Sequence, residues 1–325
     1  SLTYKDIIKE LHIMQQKSGK EFRNYIFDER ENIASTVQSY IERAVISIIS
    51  NYTQKYDIKN VCLSGGLFLN CLTNHKLLEN CDLDNVFFLP PSGDDGQALG
   101  CAYYAYIKQF GVDSPFKIQL PYLGVSYTEE EIKNALDNKG VKYTRYSDEV
   151  LASVMADYIN QNKIVAFHRG RTEIGPRALC HRSIFANPTN PAMKDILNNR
   201  VKHREPFRPF APSVIEEEQY QYFDLLNDSP YMLLATTVKL EYREKLASIT
   251  HIDGTARVQS VSKESEPFIH MFLLELKKRT GFPIILNTSF NIAGQPIVES
   301  PTDAIDTFLL NDIDLLVIGN YLVKK

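Results

Sequence analysis

The chain has 325 residues, 44% of them hydrophobic and 23% charged, and a net charge of −4. That balance excludes a disordered chain and argues against a general nucleic-acid binder; at roughly 150 residues per domain, about two domains are expected. No apolar run approaches the ~20 residues that span a bilayer, and the opening SLTYKDIIKE lacks a signal-peptide core, so neither a membrane nor an exported protein is expected.

Ile33, Val37, Tyr40, Ile41, Ala44, Val45, Ile48 and Ile49 recur at three-four spacing and predict an amphipathic helix over 33–55. Val61-Cys62-Leu63 predicts a short strand ending at Ser64-Gly65-Gly66, followed by a helix in 67–80 and a strand over 85–89. Pro90 to Gly96, PPSGDDG, is a turn-rich loop, and Ala98, Leu99, Ala102 and Ala105 begin a small-residue helix. Helix, strand, glycine turn, helix, strand, acidic loop, helix is the order of an α/β nucleotide-binding unit. The texture changes near 111–124, GVDSPFKIQLPYLG, which divides the chain into domains 1–117 and 118–325.

The second part begins with a helix over 129–138, a turn at Asp137 to Gly140 and an alternating strand, VKYTRY. A helix over 149–160 and a strand over 163–167 follow. Ser300-Pro301-Thr302-Asp303 reads as a helix start, with Pro at the first position and an acid at the third. Leu315 to Val323 reads as a strand pair or a broken strand. Five cysteines without a CxxC pair indicate neither a disulfide framework nor a structural zinc, and a reducing cytoplasm is expected.

Charge is concentrated in residues 163–209, where ten Lys/Arg meet three acids, Glu173, Asp195 and Glu205. The run FHRGRTEIGPRALCHRS (Phe167–Ser183) and the run KHREPFRPFAPS (Lys202–Ser213) interleave these cations with Gly, Pro and Phe. Guanidinium forks match planar oxyanions two bonds at a time, so shaped loops of this kind point to a pocket for a small anion. A surface ion-pair network is the competing explanation. After the apolar strand Ile284-Ile285-Leu286, Ser289 and Asn291 lie two apart and project to one side, offering a hydroxyl and a carboxamide; a local Ser or Asx turn explains the pair equally well.

Lys202-x-Arg204 with Ser289-x-Asn291 resembles the K-x-R and S-x-N signatures of the threonylcarbamoyl-adenylate synthase fold. The longer runs GRTEIGPRALCHRS, LNNRVKHREPFRPFAPS, HIDGTARVQ and LNTSFN resemble, in order, the nodulation- and antibiotic-type O-carbamoyltransferases. LSGGLFLN (Leu63–Asn70) and PSGDDGQALG (Pro91–Gly100) resemble the second half of that family's N-terminal domain. The resemblance covers essentially the whole chain. It implies an α/β (α+β) architecture: the C-terminal half of an actin-like ATPase domain, similar to the tRNA threonylcarbamoyl-transfer protein, over 1–117. A YrdC-like α/β domain over 118–325 follows.

The same resemblance implies an O-carbamoyltransferase. ATP with Mg and carbamoyl phosphate would give carbamoyl-adenylate in the C-terminal domain, and a hydroxyl of a sugar, antibiotic or other natural product would then take the carbamoyl group. Lys202 and Arg204 are expected at the ATP phosphates, Arg171, Arg177 and Arg208 at carbamoyl phosphate, and Glu173 orienting an arginine or the carbamoyl amine. Arg182 and Ser183 are expected in the carbamoyl phosphate pocket, and Thr255, Arg257, Gln259, Ser289 and Asn291 around the adenylate. Gly65, Gly66 and Asn70 would approach a nucleotide. Asp94 matches the family's aspartate ligand of Fe or another divalent metal; the family's H-x-x-x-H partner pair is not found among the seven histidines. A second chain or a further N-terminal segment is therefore expected to complete the actin-like domain. Cys180-His181 stands where the family pattern has Gly-Asn, which predicts an altered turn. Two other classes remain: an RNA- or nucleotide-binding module, and a subunit that makes carbamoyl-adenylate, or only holds nucleotide, within a split assembly.

Overall fold

A computed structural model of the chain describes residues 4–111 and 121–325. The expected domain boundary after residue 117 lies outside the described residues. The chain divides into two compact units, Ser1–Asn60 with Lys76–Asp84, and Val61–His75 with Asn85–Lys325.

The first unit is built on α1 (Tyr4–Ser18), α2 (Phe22–Asp28) and α3 (Arg30–Tyr56), the last containing the helix expected over 33–55. Asp57, in the left-handed region at φ 52°, ends α3. No helix among the described residues is long and apolar enough to cross a membrane.

The second unit opens with β1 (Asn60–Leu63), a single 3₁₀ turn (Gly66–Leu69), α4 (Cys71–Asn80, whose last residues belong to the first unit), β2 (Asn85–Phe88) and α5 (Gly96–Phe110). β1 and β2 pair. Gly65 turns the chain out of β1 at φ 112°, a conformation closed to most side chains. Gly96 is required for a different reason, since a Cβ there would sit 2.0 Å from the Pro91 carbonyl oxygen. These two glycines hold the loops after β1 and β2 in shape.

Beyond residue 120 come α6 (Glu129–Asn138), β3 (Tyr143–Arg145), α7 (Asp148–Asn160), β4 (Val165–His168), β5 (Arg182–Ala186) and α8 (Met193–Leu197). Then follow β6 (Ala211–Ile215), α9 (Gln219–Tyr222), β7 (Leu234–Thr237), β8 (Thr255–Val261), α10 (Pro267–Thr280), β9 (Ile284–Ser289), α11 (Pro301–Leu310), β10 (Leu315–Ile318) and β11 (Tyr321–Lys324). Nine strands form one sheet in the order β3-β11-β10-β4-β5-β9-β6-β8-β7. The β4–β10 and β6–β8 pairs are parallel and the others antiparallel, so the chain is mixed α/β, as expected. The run from Leu315 resolves into two antiparallel strands, β10 and β11.

The expectation of shaped loops throughout Phe167–Ser183 is corrected at its end. Arg182 and Ser183 begin β5, near the middle of the sheet, because Arg182-Ser-Ile-Phe-Ala is flanked by β4 and β9 and buried along its whole length.

α7 and α10 pack on each other and bury one face of this sheet with Leu151, Met155, Ile159, Phe272 and Leu276. Period-two alternation gives that face a gradient along three adjacent strands. Ile285, Ile215 and Val261 join the apolar core. Their same-face neighbours two residues along are Asn287, Ser213 and Gln259, all buried and polar. A further step in the same direction gives Ser289, Ala211 and Arg257, which line a pocket.

Candidate functional site

That pocket has a volume of about 310 Å3 and is lined by Arg177, Arg204, Arg208 and Arg257, by Ser289 and Thr288, and by Asn287 and His251. Pro209, Phe210, Met232 and Cys71 supply part of its apolar wall. Among the described residues no Asp or Glu lines it. Arginines 177, 204, 208 and 257 around one small cavity without a carboxylate repel one another, and an anion relieves that repulsion.

Two of these guanidinium groups are only partly satisfied by the protein, whereas Arg208 lies 3.9 Å from the exposed Glu205 carboxylate. Arg177 Nη2 donates to the Leu69 carbonyl at 3.1 Å, and its buried Nε has no partner. The Nε of Arg257 is likewise buried without a partner. Burial, then the nearby Arg177, brings the Arg257 guanidinium down to about 10. Burial also lowers Arg177 and Arg204, the latter with help from Arg208.

The segment carrying Lys202 and Arg204 is shaped by a π-helical turn, Asn198–Lys202, that extends α8 and closes at His203 in the left-handed region, φ 44°. Such turns widen the helix by one residue and re-aim its side chains. Asn198 Oδ1 accepts from Arg204 Nε at 2.8 Å, and the Arg204 guanidinium lies 4.6 Å over the Phe210 ring. Lys202 is buried. Its ammonium donates to the carbonyls of Ser289 and Asn291, to Ser289 Oγ and to Asn291 Oδ1. Burial and the neighbouring Arg204 pull Lys202 down to about 7. Ser289 Oγ in turn donates to Asn291 Oδ1 at 2.7 Å, so Lys202, Ser289 and Asn291 form one bonded cluster beside the pocket, while Arg204 bonds to Asn198 and the Pro209 carbonyl instead.

Other basic residues of the segment do pair off as a surface network: Arg169 with Asp148 at 2.8 Å, and Arg200 with Asp312 at 2.5 Å. Arg171 is exposed and donates to the Leu123 carbonyl, away from the pocket. Glu173 is buried, and its Oε1 accepts from the backbone N–H groups of Leu179, His181 and Arg182 rather than from a guanidinium. Arg182 is fully buried and donates to the carbonyls of Arg169, Gly170 and His181, bracing the loop that carries Arg177. Ser183 Oγ accepts from the Cys180 N–H at 3.1 Å. Cys180 adopts φ 79°, the left-handed conformation a glycine would take there, and its buried thiol contacts Ser213 and Gln259. His181 is held by Glu266 at 2.9 Å and stacks on Tyr122.

Thr255 reaches the site through His251, and Gln259 through Asn287. Sequence reasoning missed Asn287 and His251 as pocket residues, although both stand inside the quoted motifs LNTSFN and HIDGTARVQ.

A second, larger pocket of about 710 Å3 gathers Ser64, Gly65, Gly66, Gly93, Asp94 and Tyr103 between the ends of β1 and β2 and the start of α5. Tyr231 lines it, while its chain neighbour Met232 lines the arginine pocket. Asn70 directly precedes α4, its Oδ1 accepting from the Thr73 N–H at 3.1 Å. Asp94 is exposed and accepts from Gln97 Nε2 at 3.4 Å. Among the described residues no group of three or more His, Cys, Asp or Glu side chains is placed to hold a metal ion. One exposed carboxylate does not fit a tight transition-metal site.

Residues 156–325 match the family Carbamoyltransferase C-terminus, and residues 4–103 match Carbamoyltransferase N-terminus. The chain belongs to the carbamoyltransferase family. It is 36% identical to an uncharacterized protein of Methanocaldococcus jannaschii over 98% of this chain and 52% of that one. It is 38% identical to the nodulation protein NolO of Bradyrhizobium diazoefficiens over 97% of this chain and 57% of that one. The chain thus spans about half the length of these relatives. Among solved structures, a Sua5 variant of P. abyssi matches with a TM-score of 0.37 and 17% identity over 53% of this chain and 49% of that one.

Proposed function

We propose that the arginine pocket binds carbamoyl phosphate and the phosphates of Mg-ATP, and that the chain makes carbamoyl-adenylate there for transfer to a hydroxyl group. The supporting observation is the convergence of Arg177, Arg204, Arg208 and Arg257 on one cavity without a carboxylate, beside the bonded Lys202–Ser289–Asn291 cluster.

In this reading carbamoyl phosphate and water give carbamate and phosphate. A carbamate oxygen then attacks the α-phosphorus of ATP, and the bond to the β-phosphate oxygen breaks to release pyrophosphate. Charge builds on both phosphoryl groups as they approach. Preorganised cations meet that charge, and one such donor contributes on the order of 3–4 kcal/mol. Lys202 and Arg204 serve the ATP phosphates, and Arg177 and Arg208 hold carbamoyl phosphate. Glu173, Arg182 and Ser183 act from below by fixing the loop on which Arg177 stands. The pocket with Gly65, Gly66 and Asp94 takes the adenylate and the acceptor hydroxyl, and a further part of the protein beyond this chain completes it.

ATP–pyrophosphate exchange in the presence of carbamoyl phosphate tests the reading. Lys202→Met and Arg204→Ala should each lose at least about a hundredfold. Exchange at the unsubstituted rate in both variants would remove the assignment. ATP binding without carbamoyl phosphate-dependent exchange in the unsubstituted chain would favour a nucleotide-holding subunit instead.

A further inference from the structure

Guanidinium groups only donate, yet neutral acceptors stand among the residues that line the pocket. Asn287 is 1% exposed and lies on its wall. Its amide orientation follows from its neighbours. Gln259 Nε2 donates to the Leu179 carbonyl, which turns Gln259 Oε1 toward Asn287 and Ser213. The Ala178 carbonyl and Gln259 Oε1 both accept and cannot donate, so Asn287 must offer them its Nδ2, at 3.3 and 3.2 Å. Asn287 Oδ1 is left buried and without a partner. A native interior rarely leaves such an atom unmatched unless a ligand or water completes it.

A second acceptor is set by the same logic. Thr255 Oγ1 lies 2.7 Å from Asp253 Oδ1, which can only accept, so the hydroxyl proton points there. Thr255 Oγ1 must then accept from His251 Nδ1 at 3.0 Å. The proton sits on Nδ1, and Nε2 carries the lone pair. Among the described residues nothing hydrogen-bonds to Nε2, and His251 lines the pocket.

We infer that Asn287 Oδ1, assisted by His251 Nε2, recognises the amine of the carbamoyl group, so that the pocket selects a carbamoyl phosphate over acyl phosphates without N–H donors. The inference rests on the proposed function and names the specificity determinant of that same site. A carbamoyl amine has two N–H donors, matching the two neutral acceptors; a methyl group in its place would leave Oδ1 buried and unpaired. Sites built to hydrogen-bond a substrate N–H discriminate strongly against analogues that lack it.

The test is calorimetric titration of the full chain, with Mg and a non-hydrolysable ATP analogue present. The three ligands are carbamoyl phosphate, acetyl phosphate (a methyl in place of the amine) and inorganic phosphate. The unsubstituted chain should bind carbamoyl phosphate at least about tenfold more tightly than acetyl phosphate. Asn287→Leu should bring the two to the same affinity and leave inorganic phosphate within about twofold of its starting value. Equal affinities in the unsubstituted chain overturn the inference while leaving the phosphate pocket intact, and that comparison does not depend on any variant folding. A preference retained in Asn287→Leu overturns it too. Should Asn287→Leu instead erase a preference for ATP over GTP, the acceptor reads the adenine amine and the inference fails. Binding of none of the three ligands overturns the proposed function itself.

Discussion

Lys202 combines demands that normally exclude one another. It is buried, it sits beside the Arg204 guanidinium, and its free pKa is brought to about 7 against an ordinary value near 10.5. A bound polyphosphate reverses the local potential and favours the ammonium. Between pH 7.5 and 9 the free protein therefore holds fewer protons at Lys202 than the complex, so binding takes up a proton and weakens as pH rises. Titrating Mg-ATP at pH 8.5 in buffers of different ionisation enthalpy should show uptake of up to one proton, with affinity falling about tenfold per pH unit. Lys202→Met should remove both effects; uptake that persists in this variant would place the titrating group elsewhere. Arg182 and Glu173 mark the opposite case. Glu173 Oε1 accepts from three backbone N–H groups and Arg182 donates to backbone carbonyls, and together they shape the Arg177 loop.

At the scale of elements, the site depends on where strands and helices stop. β9 carries Ile285, Asn287 and Ser289 on one face, so a single strand runs from apolar core through a buried amide to the pocket wall. Directly after it the chain turns through Asn291, whose Nδ2 donates to the Gln295 carbonyl, and reaches α11. That helix starts in a capping box: Ser300 Oγ accepts from the Asp303 N–H, and Asp303 Oδ2 accepts from the Ser300 N–H. Ser300→Ala should cost about 1 kcal/mol and lower the thermal midpoint by a few degrees. A midpoint unchanged by the substitution would show that α11 is held by packing alone. Pyrophosphate exchange should survive it, because Ser300 touches neither pocket.

At the scale of the molecule, charge is sorted into two populations. Surface cations such as Arg200 find acidic partners, and so does Arg208 at the pocket's exposed side, whereas Arg177, Arg204 and Arg257 face a cavity lined by no carboxylate among the described residues. Their mutual repulsion and desolvation lower the stability of the unliganded chain, and an anion recovers it. Pyrophosphate at about a hundred times its dissociation constant should add roughly 2.7 kcal/mol and raise the unfolding midpoint measurably in differential scanning calorimetry. Arg257→Met, which removes a half-buried cation, should raise the midpoint without ligand and abolish most of the pyrophosphate shift. The idea fails if the variant unfolds earlier and still responds fully to pyrophosphate. The exposed Tyr104, Ile107 and Phe110 on α5 are a separate feature, remote in character from this charged site.

Periodicity, caps and turn residues act over a few neighbouring positions, which is why α3, α6, α7, the Ser300 cap and the β10–β11 pair were legible in the amino-acid order alone. So was the concentration of arginine and the order of the carbamoyltransferase motifs. Which arginines share a cavity was not legible, because Arg177, Arg204 and Arg257 come from a loop, the segment after a π-turn and a strand far apart in sequence. The same holds for Arg182, whose place in β5 depends on the flanking β4 and β9. Asn287 became a pocket residue only through long-range contacts: Ala178 and Gln259 hold its amide nitrogen, and that leaves its oxygen for a ligand.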